Sequence, residues 1–213
     1  MSVTRRHSLF GLLVLPGCSV LPDRPFIEIR RYPLSPARPA DAPRRQGREA
    51  VLVRDMRAGP GLDSRGLRSI RTDGTLAVAP YAEWAAPPAD AAEAAMREWL
   101  RASGLFAGVA LPGSRIAAPL VLESELVALE QDSPRTARAA ISALLVEETG
   151  LAGVRLRGQF VARGTAAVQG EGQGGSQGRG QAASAQAMSE ALGAALASLE
   201  TELARILSTT APR

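Results

Sequence analysis

The chain has 213 residues, of which 46% are hydrophobic and 22% charged, enough for one domain with its own core and short extensions. Its 25 basic residues are all arginine and its formal net charge is only +4, so we expect no nucleic-acid partner, since such binding requires a dense basic face. The only His is His7 and the only Cys is Cys18, both near the N-terminus.

The positions of these two rare residues limit the chemistry of the remaining chain. A domain without His or Cys has no Ser-His-Asp triad, no Cys nucleophile and no His or Cys metal site. Catalysis by carboxylates alone or by Ser-based variants stays open, but no motif supports either. We therefore expect a protein that is not an enzyme, with no catalytic residues, no metal site and no cofactor.

Residues 1–17 are predicted to be a secretory signal peptide. An Arg pair forms a positive n-region, and residues 9–15 form an apolar stretch too short to span a bilayer as a helix. The next residues, Leu15-Pro16-Gly17-Cys18, resemble the lipobox of bacterial lipoproteins, in which the Cys becomes the acylated first residue. Cys18 is thus the predicted lipidation site, with palmitate among the expected acyl groups and the membrane as partner. The alternative is a buried apolar helix with an incidental Cys.

The export route is left open between the general secretory pathway, which we favour, and a twin-arginine signal. Ser19 follows the Cys where an Asp would, by the enterobacterial sorting rule, indicate retention at the inner membrane. We therefore expect a lipid anchor on the periplasmic face of the outer membrane, with the inner membrane as the alternative.

Residues 18–47 are predicted to be a tether that carries the lipidated Cys at its start. The segment is rich in Pro and Arg, with one short stretch, Phe26 to Ile29, that could pair as a strand. Such a composition favours an extended chain that holds the folded domain away from the bilayer. A disordered leader with no spacing role is the alternative.

The predicted domain spans residues 48–208 and begins with a strand at Ala50 to Met56, closed by a Gly-Pro-Gly turn. A shorter strand is predicted at residues 76–79. After Pro87-Pro88, apolar residues recur at helical spacing, which predicts an amphipathic helix that ends at Gly104. The face of this helix consists of Ala92, Met96, Trp99, Leu100 and Ser103.

Three strand-like runs follow, at residues 120–130, 137–147 and 154–163, and their turn-forming links predict an antiparallel meander. Apolar residues from Met188 to Leu207 then recur every three or four positions, which predicts a long helix on the sheet. Residues 170–180 between them are Gly-rich and predicted to be a loop. The predicted fold class is α+β, one domain with a mainly antiparallel sheet covered by two helices, behind the signal and tether.

Four segments of the chain resemble the ABC-type transport auxiliary lipoprotein family, which includes the PqiC-like proteins. They are Leu62-Asp63-Ser64-Arg65, Tyr81-Ala82-Glu83-Trp84-Ala85-Ala86-Pro87-Pro88, Arg101-Ala102-Ser103-Gly104-Leu105-Phe106 and Glu130-Gln131-Asp132. The resemblance runs from about residue 49 to residue 207. Leu62 departs from the aromatic residue often found there, and the Gly-rich loop departs from the usual shorter connection.

The resemblance implies an accessory lipoprotein of an MCE-type ABC transporter, partnered by its MCE-domain protein and assisting the transport of phospholipid or other hydrophobic compounds between membranes. A homo-oligomer is a further possibility. One alternative is a carrier that shields an acyl chain between sheet and helices. Another is a lipoprotein of the lipopolysaccharide-assembly type. A periplasmic hydrolase is disfavoured by the absence of His and Cys from the exported chain.

Six residues are predicted to bind the partner, because loops held by a rigid sheet often carry contacts and Tyr, Trp and Arg often anchor interfaces. They are Leu62, Asp63, Ser64, Arg65, Tyr81 and Trp84. The alternative is structural: the two aromatic side chains would cap the core, and Asp63 and Arg65 would form a local ion pair.

Overall fold

The computed structural model describes residues 27–148, 153–169 and 177–209. The signal peptide, Cys18, the tether as far as Phe26, and residues 170–176 of the Gly-rich segment lie outside the described residues.

The described residues form one α+β domain, which confirms the predicted fold class. The elements are β1 (Arg30–Tyr32), β2 (Ala50–Val53), β3 (Arg57–Ala58), β4 (Gly66–Ile70), β5 (Leu76–Trp84), α1 (Pro88–Ser103), β6 (Gly108–Ala110), β7 (Leu120–Ser133), β8 (Thr136–Glu148), β9 (Val154–Ala167) and α2 (Gln177–Thr209).

The long strands β7, β8 and β9 form the predicted antiparallel meander. The β7–β8 ladder runs from Leu120 opposite Glu147 to Ser133 opposite Thr136, and β9 continues it on the other side of β8. Alternation along β8 is regular, with Ala139, Ile141 and its neighbours at every second position buried beneath the helices. Period-two patterning over a dozen residues therefore predicted this region well.

The short strands make the sheet mixed rather than uniformly antiparallel. β2, β3 and β4 all pair with β7 in the parallel direction, β6 pairs parallel with β2, and β1 pairs parallel with β5. Only β4 and β5 form an antiparallel pair in this half. Four of these strands, β1, β3, β4 and β6, were not predicted, because two to five residues are too few to display a period.

The first helix confirms its prediction at both ends. Pro88 occupies the first turn, where a missing N–H costs nothing, and Gly104 ends the helix at φ 63°, a left-handed conformation that favours glycine. All five residues of the predicted apolar face are buried. A Cβ on Gly104 would also collide with the carbonyl of Arg45, so this position requires glycine for two reasons.

The second helix lies across β8 and β9 and completes the core. Its residues Met188, Leu192, Leu196, Leu199 and Leu203 are fully buried, as their spacing predicts. The helix begins at Gln177, inside the segment predicted to be a loop at residues 170–180. The loop prediction is therefore wrong for residues 177–180, because the Ala-rich sequence that follows propagates the helix backwards through two glycines at modest cost.

The tether prediction is wrong from Arg30 onward. Residues 33–47, here called the strap, run over the two helices after β1 has joined the sheet. The Arg45 and Gly47 amides donate to the carbonyls of Ser103 and Gly104 at 2.7 and 2.8 Å. Arg38 forms an ion pair with Glu200 of α2. Pro and Arg thus make an extended segment that is packed rather than free.

Candidate functional site

The structure brings together the two segments predicted to bind a partner. Residues 62–65 lead into β4, and Tyr81 to Trp84 form the end of β5. The Trp84 amide donates to the Arg65 carbonyl at 2.7 Å, and Gly66 pairs with Glu83 in the β4–β5 ladder. Backbone hydrogen bonds therefore fix the relative position of the two segments.

Two of the six predicted residues are unable to touch a partner. Leu62 and Trp84 are each 1% exposed and belong to the hydrophobic core. At the end of β5, Ala82 and Trp84 point inward while Tyr81 and Glu83 point outward, as strand alternation requires. For Leu62 and Trp84 the docking prediction is thus corrected to a packing role.

The other four predicted residues are exposed. Asp63, Ser64 and Arg65 lie at the surface just before β4, and Tyr81 is 42% exposed on β5. The Ser64 hydroxyl accepts a hydrogen bond from the Gly66 amide at 3.4 Å, which orders the turn. The Arg65 guanidinium lies 3.8 Å from the Glu83 carboxylate, so its ion pair is with Glu83 and not with Asp63 as predicted.

Sequence reasoning missed two further members of this site, Arg31 and Glu83. The parallel pairing of β1 with β5 places these residues side by side. Arg31 Nε donates to Glu83 Oε1 at 2.8 Å, and Arg65 Nη2 approaches the same oxygen. We use the name docking surface for five exposed residues together with the partly buried Glu83: Arg31, Asp63, Ser64, Arg65, Tyr81 and Glu83. No local pattern could reveal it, since Arg31 and Glu83 are 52 positions apart.

Apolar side chains on β5 extend the docking surface on one side. Val78 is 52% exposed and Leu76 44% exposed, on the same strand as Tyr81. A Cβ on Gly66 would collide with a Val78 methyl group, so Val78 lies over the start of β4. An exposed Tyr and Arg beside apolar side chains is the composition that protein interfaces favour.

The hairpin-corner motif at Glu130 to Asp132 has a structural role. The Glu130 carboxylate is buried and pairs with Arg138 of β8 at 2.6 Å and with Arg68 of β4 at 3.5 Å. Hydrogen bonding to Glu130 raises the pKa of Arg138 above its usual value. The Arg138 Nε also lies 3.2 Å from Asp132. This cluster joins β4, β7 and β8.

Neither a metal-binding cluster nor a helix able to cross a membrane is found among the described residues. Residues 27–148, 153–169 and 177–209 contain no group of three or more His, Cys, Asp or Glu side chains that could hold a metal ion. In the same residues, neither helix is long and apolar enough to cross a membrane.

Most of the described domain matches the model of one protein family. A family model described as the ABC-type transport auxiliary lipoprotein component matches residues 32–204. The match begins in β1 and therefore includes the strap. No curated protein sequence matches the chain.

Solved structures support the fold. Protein XCC0632 from Xanthomonas campestris, described with the family model DUF330, superposes with a TM-score of 0.65 at 20% identity, over 84% of this chain and 96% of that one. A second crystal structure, of an uncharacterized protein, gives a TM-score of 0.54 at 12% identity, over 78% of this chain and 95% of that one. At these identities the similarity concerns the fold alone.

Proposed function

The chain belongs to the ABC-type transport auxiliary lipoprotein family, and from that membership we propose that it docks onto the MCE-domain protein of an ABC transport system and assists the passage of phospholipid or another hydrophobic compound between membranes. Membership of a lipoprotein family implies a membrane-anchored periplasmic location. The observation that carries the docking proposal is the convergence of Arg31, Arg65, Tyr81 and Glu83 on one exposed edge of the sheet.

The anchor in this proposal is an acylated Cys18 in the outer membrane. Arg30, where the chain joins the sheet, lies twelve positions after Cys18. A fully extended chain spans at most about 3.5 Å per residue, so this tether reaches about 40 Å. The packed strap prevents any longer excursion, and the domain stays close to the bilayer.

The docking surface lies next to the point where this tether leaves the domain. Arg31 is in the first strand after the tether and its side chain belongs to the surface. Two arginines and two acids balance in charge, and Tyr81 is exposed on β5. Such a mixed surface suits a folded protein partner rather than a nucleic acid or a simple ionic ligand.

The proposal is tested by affinity purification of the tagged full chain from solubilised membranes of its own organism. We expect the MCE-domain protein to co-purify, together with the permease and ATPase of the same system. The control is the same purification from cells that carry the untagged chain. Recovery of the chain without any MCE-domain protein, under conditions in which the permease and ATPase stay together, would contradict the proposal.

A further inference from the structure

An open cleft lies at the end of the helical layer, away from the docking surface. It has a volume of about 660 Å³, within the range of ligand pockets. Its walls are the end of the strap and the adjoining residues at 45–49, the residues just after α1, the start of β7 and the end of α2. None of these residues belongs to the docking surface, so the cleft is a separate feature of the domain.

Apolar side chains form the floor of the cleft. Leu105 and Phe106 follow the left-handed end of α1, Leu120 begins β7, and Leu207 lies in the last turns of α2. The first three are buried or nearly so, whereas Leu207 is half-buried. These side chains can cover an alkyl chain or a ring, and removing such a group from water is favourable in proportion to its area.

A buried arginine stands at the inner end of the cleft. In the β8–β9 ladder, Leu145 pairs with Gly158 but Val146 pairs with Leu156, so Arg157 is an extra, bulged residue. The bulge turns Arg157 to the helix-covered face, where its Nη1 donates to Glu147 Oε2 at 2.7 Å. The Arg157 side chain is only 8% exposed, and its Nε has no hydrogen-bond partner among the described residues.

The rim of the cleft adds two exposed arginines, Arg45 at the end of the strap and Arg48 just after it. Against three arginines the cleft has two acids, Glu49 and Glu147. One positive charge is therefore in excess beside an apolar floor. Guanidinium groups bind carboxylate and phosphate oxygens in a fixed forked geometry, which a cation or a neutral alcohol cannot use.

Two further grooves lie on either side of the strap. They are apolar, but they lack the free arginines of the cleft. The larger of them contains Arg38, but that guanidinium is already paired with Glu200. The remaining side chains of both grooves are mostly small, and they offer no free cation. Among the described residues, the cleft at 45–49 joins an apolar floor to available arginines.

We infer that this cleft binds a single-chain amphipathic anion, an alkyl chain with a carboxylate or phosphate head. Arg45 and Arg48 hold the head at the rim, and Arg157 supplies a fixed positive charge behind it. The alkyl chain lies along Leu105, Phe106 and Leu207. The inference does not depend on the proposed docking partner, since the cleft and the docking surface share no residue.

The test is photolabelling of the full chain in isolated membranes. Four probes carry the same diazirine-bearing sixteen-carbon chain on a carboxylate, a phosphate, a neutral alcohol or a trimethylammonium head, and labelled peptides are mapped by mass spectrometry. We expect the carboxylate and phosphate probes to label peptides with Phe106 or Leu207. The alcohol and the cation should label them at least about tenfold less, because they form no charge-assisted bond with arginine.

Variants on the rim avoid disturbing the buried Arg157. The double variant Arg45→Glu and Arg48→Glu should lower labelling by both anions at least about tenfold. The matched control, Arg135→Glu and Arg163→Glu, reverses two exposed arginines outside the cleft and should leave labelling unchanged. A stronger carboxylate than phosphate signal identifies a fatty acid as occupant, and the reverse identifies a phosphate-headed lipid. Equal labelling by all four probes, labels outside the cleft, or no loss in the rim variant would overturn the inference.

Discussion

Arg38 and Glu200, 162 positions apart in the sequence, form a forked ion pair in which Nε and Nη2 of the guanidinium lie 3.2 and 3.0 Å from the two carboxylate oxygens. The indole N–H of Trp99 donates to the same carboxylate at 2.8 Å. One buried acid on α2 thus fixes both the strap and α1. This contact is the reason the Pro-rich segment belongs to the domain.

Replacement of Arg38 by Ala is expected to lower the free energy of unfolding by about 3 kcal/mol, because it leaves the Glu200 carboxylate buried with a single donor. Adding Glu200→Gln should recover part of the loss, since an amide is cheaper to bury. Arg101→Ala, which removes an exposed ion pair with Glu98, is the control and should cost below about 1 kcal/mol. Urea denaturation measures all three, and a wild-type midpoint for Arg38→Ala would show that the strap is not held by this pair.

Two glycines are expected to respond to Ala substitution with opposite sign. A Cβ on Gly164 of β9 would collide with backbone atoms of Ala191 and Ala195, so Gly164→Ala should destabilise the domain by about 1–3 kcal/mol. At Gly180, near the start of α2, a Cβ meets no atom within 4 Å, and Gly180→Ala should stabilise by up to about 1 kcal/mol. Thermal melts of both variants measure the two stability changes. If Gly164→Ala changed stability no more than Gly180→Ala, α2 would not pack on β9 as closely as described.

Alanine substitutions of Trp84 and Tyr81 are expected to differ in their effect on folding stability, because Trp84 packs in the core and Tyr81 lies at the surface. Trp84 is buried, so Trp84→Ala should cost about 3–5 kcal/mol of folding stability. Tyr81 is 42% exposed, so Tyr81→Ala should cost below about 1 kcal/mol. Chemical denaturation of both variants measures the difference. A Trp84→Ala protein as stable as wild type would restore Trp84 to the candidate docking residues.

Cys18→Ala is expected to leave a folded but unprocessed precursor, because acylation uses the sulfur of Cys18 and the core begins well after it. Radiolabelled palmitate should be incorporated into the wild-type chain and not into this variant. A Ser19→Ala variant is the control and should label normally. Normal labelling of Cys18→Ala would rule out Cys18 as the lipidation site.

Periodicity predicted the long elements because each contains many repeats of its own pattern. The buried stripe from Met188 to Leu203 and the alternation in β8 are local properties, and local sequence is sufficient to show them. Gly104 ended the first helix as expected because its left-handed conformation is a local requirement.

Long-range contacts determine the features of the fold that local sequence patterns did not predict. The strap contains no period, and its fixed position depends on Glu200, far away in the sequence. Trp84 is inward and Tyr81 outward because one face of β5 packs against the core, and no spacing within β5 shows which face that is. The bulge at Arg157 likewise arises from its partner strand. Sequence reasoning therefore named two segments that the fold brings together, but it placed two core residues, Leu62 and Trp84, on their surface.

In the proposed function, the surface around Arg65 and Tyr81 docks the transport partner. The direct measurement is recovery of the MCE-domain protein with the tagged full chain that carries Arg65→Glu and Tyr81→Ala, beside a control that carries Arg163→Glu and Val127→Ala at exposed positions elsewhere. Both variants are first shown to melt within a few degrees of wild type. We expect recovery to fall at least about tenfold with the first variant, as for interface anchors, and to stay at the wild-type level with the second. Wild-type recovery with both would contradict the docking surface.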